Sequence, residues 1–116
     1  MSLSMRLPIL AAAALLSAAS AASADLKQGQ SIYQTNCAAC HGAKAQGGLG
    51  PKLSGEVANW SAAIFQRALL KNVDDHGKML KAPMPFWGKV GFAGDKGKAP
   101  TKTELVALQA YLKTFK

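Results

Sequence analysis

Cysteine, histidine and acidic side chains are all scarce in this chain: two Cys, two His and six Asp plus Glu among 116 residues. A four-ligand zinc site would have to use every Cys and His at once, and Cys40 is followed directly by His41, a spacing that does not suit a tetrahedron. There is no acidic tail, no internal repeat and no low-complexity segment beyond an Ala-rich N-terminus. No apolar residues alternate over a run long enough for a sheet strand, so the fold class is read as all-α. The length allows one domain and one core.

What is present begins with an export signal. Arg6 supplies a positive charge, Leu7 to Ala22 is apolar, and Ala22-Ser23-Ala24 fits a small-residue cleavage site. The apolar run is shorter than the roughly 20 residues that span a bilayer, so a permanent membrane anchor is disfavoured. Residues 1–24 are therefore expected to be a signal peptide cleaved after Ala24, and residues 25–116 to form the mature domain, located in the periplasm. That domain has 12 Lys and one Arg against four Asp and two Glu, a net of +7. An exported chain meets an oxidising compartment, where two nearby thiols oxidise unless something else claims them. A domain this small buries only about 60–65% of its unfolded surface, so it profits from a covalent staple.

Three main helices are expected. The first spans about Asp25 to Thr35, with Leu26, Gly29, Ile32 and Tyr33 on one side. Gly29 sits mid-helix, where Gly is about 1 kcal/mol less favourable than Ala, which points to a close helix crossing. The second fits Ser61 to Asn72, capped by Ser61 and striped by Ile64, Phe65, Ala68 and Leu69. The third opens on the capping box Thr101-Lys102-Thr103-Glu104 and carries Leu105, Leu108, Tyr111, Leu112 and Phe115 at helical spacing. The first and third helices are expected to cross at Gly29, with Tyr33 as the aromatic partner. Residues 42–55 and 77–100 read as long loops, and long ordered loops in so small a domain wrap something.

Cys37-Ala38-Ala39-Cys40-His41 is the C-x-x-C-H pattern of c-type haem attachment. Each thiol adds across one haem vinyl, and the residue after the second thioether is held beneath the iron, where a neutral imidazole ligates it. A thioredoxin-like dithiol shares the Cys spacing but belongs with a strand-helix pattern that is missing here. A plain structural disulfide also shares it; the export signal and the two long loops favour haem.

With these residues in view, the chain resembles the class I mono-haem cytochromes c over nearly all of residues 25–116. The resemblance rests on Gly29 and Tyr33 leading into Cys37 to His41, on Gly50-Pro51-Lys52-Leu53, on Met84-Pro85, and on Leu108, Tyr111 and Leu112 in the last helix. It implies one covalent haem c with long loops wrapped around it and bound through Cys37 and Cys40. It further implies that the Pro51 carbonyl accepts a hydrogen bond from the free ring N–H of His41, and that Leu53 packs on the haem. His41 and Met84 are then the axial iron ligands, with Met79 and His76 as other candidates for the sixth position. Pro83 and Pro85 stiffen the chain about Met84. The stretch from Met84 to Thr101 is longer than in many small members, and partner specificity is a natural use for it.

A thioether opposite imidazole raises the reduction potential, and a six-coordinate iron leaves no open position for substrate. The function expected is thus one-electron transfer between redox proteins, not catalysis. A haem subunit of a particular oxidoreductase is the alternative, and an open-site sensor or enzyme a more distant one. Lys71, Lys78, Lys81, Lys89, Lys96, Lys98 and Lys102, with Lys44 and Lys52, suit docking on acidic partner surfaces. Nucleic acid is not an expected partner of an exported chain, and the protein is expected to be a monomer. Trp60 and Trp87 read as crevice wall or as indole N–H donors to a haem propionate. Phe65, Phe86 and Phe92 read as pocket or core packing.

Overall fold

The computed structural model describes residues 25–115; the expected signal peptide, residues 1–24, lies outside the described residues. Helix α1 occupies residues 25–36 and runs almost directly into α2, Ala38–His41, so the haem-attachment motif is itself a helical turn. A 3-10 turn, Val57–Asn59, precedes α3, Ala62–Lys71; α4 is Trp87–Val90 and α5 is Lys102–Leu112. Among the described residues there is no strand, and an isolated antiparallel bridge joins Val73 to Met79. The all-α class is as expected.

Local chemistry sets the ends of the longer helices. The Ser61 side chain accepts from the Ile64 N–H at 3.2 Å, and α3 ends where Asn72 turns left-handed at φ 59. After Gly, Asn is the residue that most readily takes that conformation. At α5 both halves of the capping box form: Glu104 N–H donates to Thr101 Oγ1 at 3.1 Å, and Thr101 N–H donates to Glu104 Oε1 at 2.9 Å. Caps of this kind are worth about 1 kcal/mol. The last helix is shorter than its periodicity suggests. It stops at Leu112, and Phe115 sits in a following turn, where its ring still meets Tyr111 edge-on at 5.1 Å.

Helices α1 and α5 meet at Gly29. A Cβ built there would lie 2.1 Å from the Ala107 carbonyl oxygen and 2.8 Å from the Tyr111 Cβ. One residue-turn on, the Tyr33 ring is fully buried and meets Tyr111 edge-on at 5.8 Å. Leu105, Leu108 and Leu112 complete the contact and are equally buried. Each such side chain contributes on the order of 1.5–3 kcal/mol. Leu26, placed on the apolar side by spacing alone, is 41% exposed.

The 77–100 stretch is more structured than a loop. It contains α4, which packs against α3. Trp87 stacks at a tilt on Phe92, 5.2 Å between centroids, and the Ala93 N–H donates to Asn36 Oδ1 at 2.9 Å. The segment that lengthens the chain after Met84 is thereby tied to the residue preceding Cys37.

Candidate haem-binding site

His41 is 4% exposed at the C-terminal end of α2, and its backbone is held at both ends. Its N–H donates to the Cys37 carbonyl at 3.0 Å, and its carbonyl accepts from Gly47 N–H at 2.8 Å. The ring Nδ1 lies 2.7 Å from the Pro51 carbonyl oxygen. A carbonyl only accepts, so the imidazole proton resides on Nδ1 and the Nε2 lone pair is left free to bind a metal. The loop carrying Pro51 passes so close over the ring that only glycine fits at position 50. A Cβ on Gly50 would lie 2.8 Å from His41 Cε1.

Two adjoining cavities of about 280 and 370 Å³ open beside this histidine. Cys37, His41, Pro51, Lys81 and Met84 line both. The larger continues inward between Leu53, Val57, Phe65 and Leu69 to α5, with an almost wholly apolar wall. The smaller is bordered by Cys40, Leu49, Pro83 and Trp87. Sizes of a few hundred Å³ with apolar walls and a few convergent polar groups are typical of cofactor sites. Cys37 and Cys40 are not joined by a disulfide, so both sulfurs are available to a haem edge.

The turn after α3 decides which of the other candidate ligands faces the cavity. The Asp74 carboxylate accepts from the N–H groups of His76 and Lys78, at 2.8 and 2.9 Å, and those bonds hold it below the ordinary carboxylate value. This turn projects His76 and Met79 outward: the His76 side chain is 79% exposed and Met79 is 64% exposed. The chain then returns through Leu80, whose N–H donates to the Asn72 carbonyl at 2.9 Å, and delivers a partly buried Met84 to the cavity wall.

The residues present suit a haem. Two thiols stand where thioethers would anchor an edge, an imidazole presents a free nitrogen, and a thioether-bearing side chain shares the wall. Two indole N–H groups, on Trp60 and Trp87, are buried without a partner, and both tryptophans border the cavities. Buried indole donors ordinarily have partners, and carboxylates of a macrocycle would supply them.

A family model described as cytochrome c oxidase, cbb3-type, subunit III matches residues 24–112. The chain belongs to this family of c-type cytochrome domains. A curated relative, a cytochrome c-553-like protein of Synechocystis sp., is 52% identical over 31 residues, covering 27% of this chain and 30% of its own length. The chain thus matches under a third of that relative. No solved structure matches it. Family membership makes this an all-α cytochrome c fold, and the family implies a covalently bound haem c.

Leu49 borders the smaller cavity and is 77% exposed, and no local pattern marks it; Lys81, expected as a docking lysine, also lines both cavities. Gln109 did carry a signal, being a polar residue four positions after Leu105 on the buried face of α5. It is 5% exposed and donates to the Trp60 carbonyl at 2.7 Å and the Ala58 carbonyl at 3.2 Å, which fixes the turn holding Trp60.

Proposed function

We propose that this cytochrome is a periplasmic one-electron carrier with a single haem c, exported by a signal peptide cleaved after Ala24. Cys37 and Cys40 carry the thioethers, His41 and Met84 are the axial ligands of the iron, and Pro51 and Leu53 form part of the haem pocket. The observation that carries this reading is the shared cavity wall of Cys37, His41, Pro51 and Met84, with the His41 ring oriented by the Pro51 carbonyl. The haem supplies a reversible ferric/ferrous couple. The chain's part is to hold both ligands in place through the redox change and to keep water from the metal with an apolar wall. The Pro51 bond also raises the basicity of the histidine.

With both axial positions filled by side chains, the iron has no open site, so the chain is read as a carrier and not an enzyme. Its partners are redox proteins with acidic docking surfaces. Lys44, Lys52, Lys81 and Lys89 are exposed, and Lys81 borders the smaller cavity beside Leu49, which offers an apolar contact. Small transient interfaces lean on such steering. No helix among the described residues is long and apolar enough to cross a membrane. The carrier is read as a monomer.

The description of the matching family, a subunit of a cytochrome c oxidase, favours a second reading in which the domain passes electrons within one complex. Co-purification of a complex that survives high salt supports that reading; recovery of the free chain supports the carrier. The test of the cofactor assignment is haem retained under denaturing conditions. The exported protein is expected to gain the mass of one haem and to keep it on a denaturing gel. Cys37→Ser with Cys40→Ser is expected to lose it, and retention by that double variant overturns the attachment.

A further inference from the structure

The Tyr33 hydroxyl is fully enclosed and donates to the Gly42 carbonyl, at 2.5 Å. Gly42 directly follows His41, and its carbonyl also accepts from the Ala45 N–H at 3.2 Å. Ala45 is likewise fully buried, with φ 56, and its carbonyl accepts from the N–H groups of Leu53 and Ser54 at 3.0 and 3.1 Å. These bonds bracket Pro51, the residue whose carbonyl meets His41 Nδ1. A chain of contacts therefore runs from α1 through the phenol to the base of the loop, and on to the acceptor that orients the imidazole. Phenylalanine would fill the same space between Tyr111 and Phe115, so packing alone does not account for the oxygen.

We propose that Tyr33 is a positioning residue for the axial histidine: its hydroxyl braces the 42–54 loop so that the Pro51 carbonyl stays in line with His41 Nδ1–H. The inference rests on His41 being the haem ligand. Burial pushes the phenol up to about 12, so it remains a donor throughout the neutral range. A firm Nδ1–H···O bond gives the ring more electron density to share with iron and favours the ferric state. Loosening it favours the ferrous state. One lost hydrogen bond of ordinary strength, about 0.5–1.5 kcal/mol, corresponds to roughly two- to tenfold more frequent opening of the loop.

The experiment compares the haem-loaded parent, Tyr33→Phe and Tyr111→Phe. Tyr111→Phe is the control, since its ring packs in the same cluster but its hydroxyl makes no bond to the loop. Tyr33→Phe is expected to raise the reduction potential and to speed exchange of the His41 Nδ1 proton, followed by nuclear magnetic resonance of the ferrous protein, about two- to tenfold. Tyr111→Phe is expected to leave both at the parent values. The proposal is overturned if Tyr33→Phe matches the parent in potential and exchange, or if both variants shift alike. A parent without a haem-bound histidine would instead sink the ligand assignment beneath it, a failure seen before any variant is compared.

Discussion

Gly29→Ala tests the packing that holds the terminal helices together, and two opposing effects set its sign. On an isolated helix the change is favourable by about 1 kcal/mol, because alanine is the better helix former. Here the new methyl would lie 2.1 Å from the Ala107 carbonyl oxygen and 2.8 Å from Tyr111 Cβ. The first of these is backbone inside α5 and cannot rotate away, so the helices must separate. Overpacking of this kind usually costs about 1–3 kcal/mol, occasionally more, and an unyielding backbone partner puts this case at the upper end. Separation also loosens Tyr33, Leu105 and Leu108, which are fully or almost fully buried. The net expectation is a loss of about 2 kcal/mol, or a fall of roughly 8–16 °C in the midpoint for a domain of this size. The assay is thermal unfolding of the haem-loaded protein, with the exposed α1 substitution Gln30→Ala as control. Equal or greater stability of Gly29→Ala would refute the crossing geometry.

Three further outcomes follow from the same geometry. Gly50→Ala drives a methyl against the His41 ring at 2.8 Å and is expected to part Nδ1 from the Pro51 carbonyl, giving a rise in high-spin ferric haem by absorption and a stability loss of about 1–3 kcal/mol; an unchanged spectrum would count against the tight approach of the loop. Asp95 is raised above its ordinary 3.8, first by its hydrogen bond with Glu104 and then by burial and charge repulsion, and its Oδ2 is buried without a partner. A raised native value means that its favourable contribution is present at acid pH and lost as pH rises through that value, so Asp95→Asn is expected to stabilise the protein at pH 7 and to lose that advantage below the ordinary carboxylate range; denaturant midpoints across pH check the sign. Electron transfer to an acidic redox partner is expected to slow about tenfold or more from ~0.01 M to ~0.15 M salt, as the screening length shrinks from ~30 to ~8 Å; a salt-independent rate in stopped flow contradicts lysine steering.

Features written in adjacent residues were legible from the chain alone. The Thr101 capping box and the Ser61 cap depend on chemistry within one turn, and a glycine in mid-helix marks a close crossing whatever the distant partner; each takes the expected form. The four-residue helices α2 and α4 were not legible, since four residues are too few to show a helical period. Phe115 kept the helical spacing yet lies beyond α5, because its packing against Tyr33 and Tyr111 satisfies the same apolar demand from a turn. The candidate site divides in the same way. Cys37, Cys40 and His41 form a contiguous motif, whereas the difference among Met79, His76 and Met84 depends on the Asp74 turn and on where the chain re-enters the fold. The Gln109 clamp on Trp60 spans 49 residues, and no spacing rule reaches that far.

The most direct test of the central claim is the absorption spectrum of the ferric protein, followed by reduction, for the parent beside Met84→Ala, Met79→Ala and His76→Ala. The parent is expected to be low-spin, with the weak long-wavelength band of thioether-ligated ferric haem. That band should be lost only in Met84→Ala, together with a fall in potential. A high-spin parent, or a band that survives in Met84→Ala, would contradict ligation by His41 and Met84 and with it the carrier built on a closed iron site.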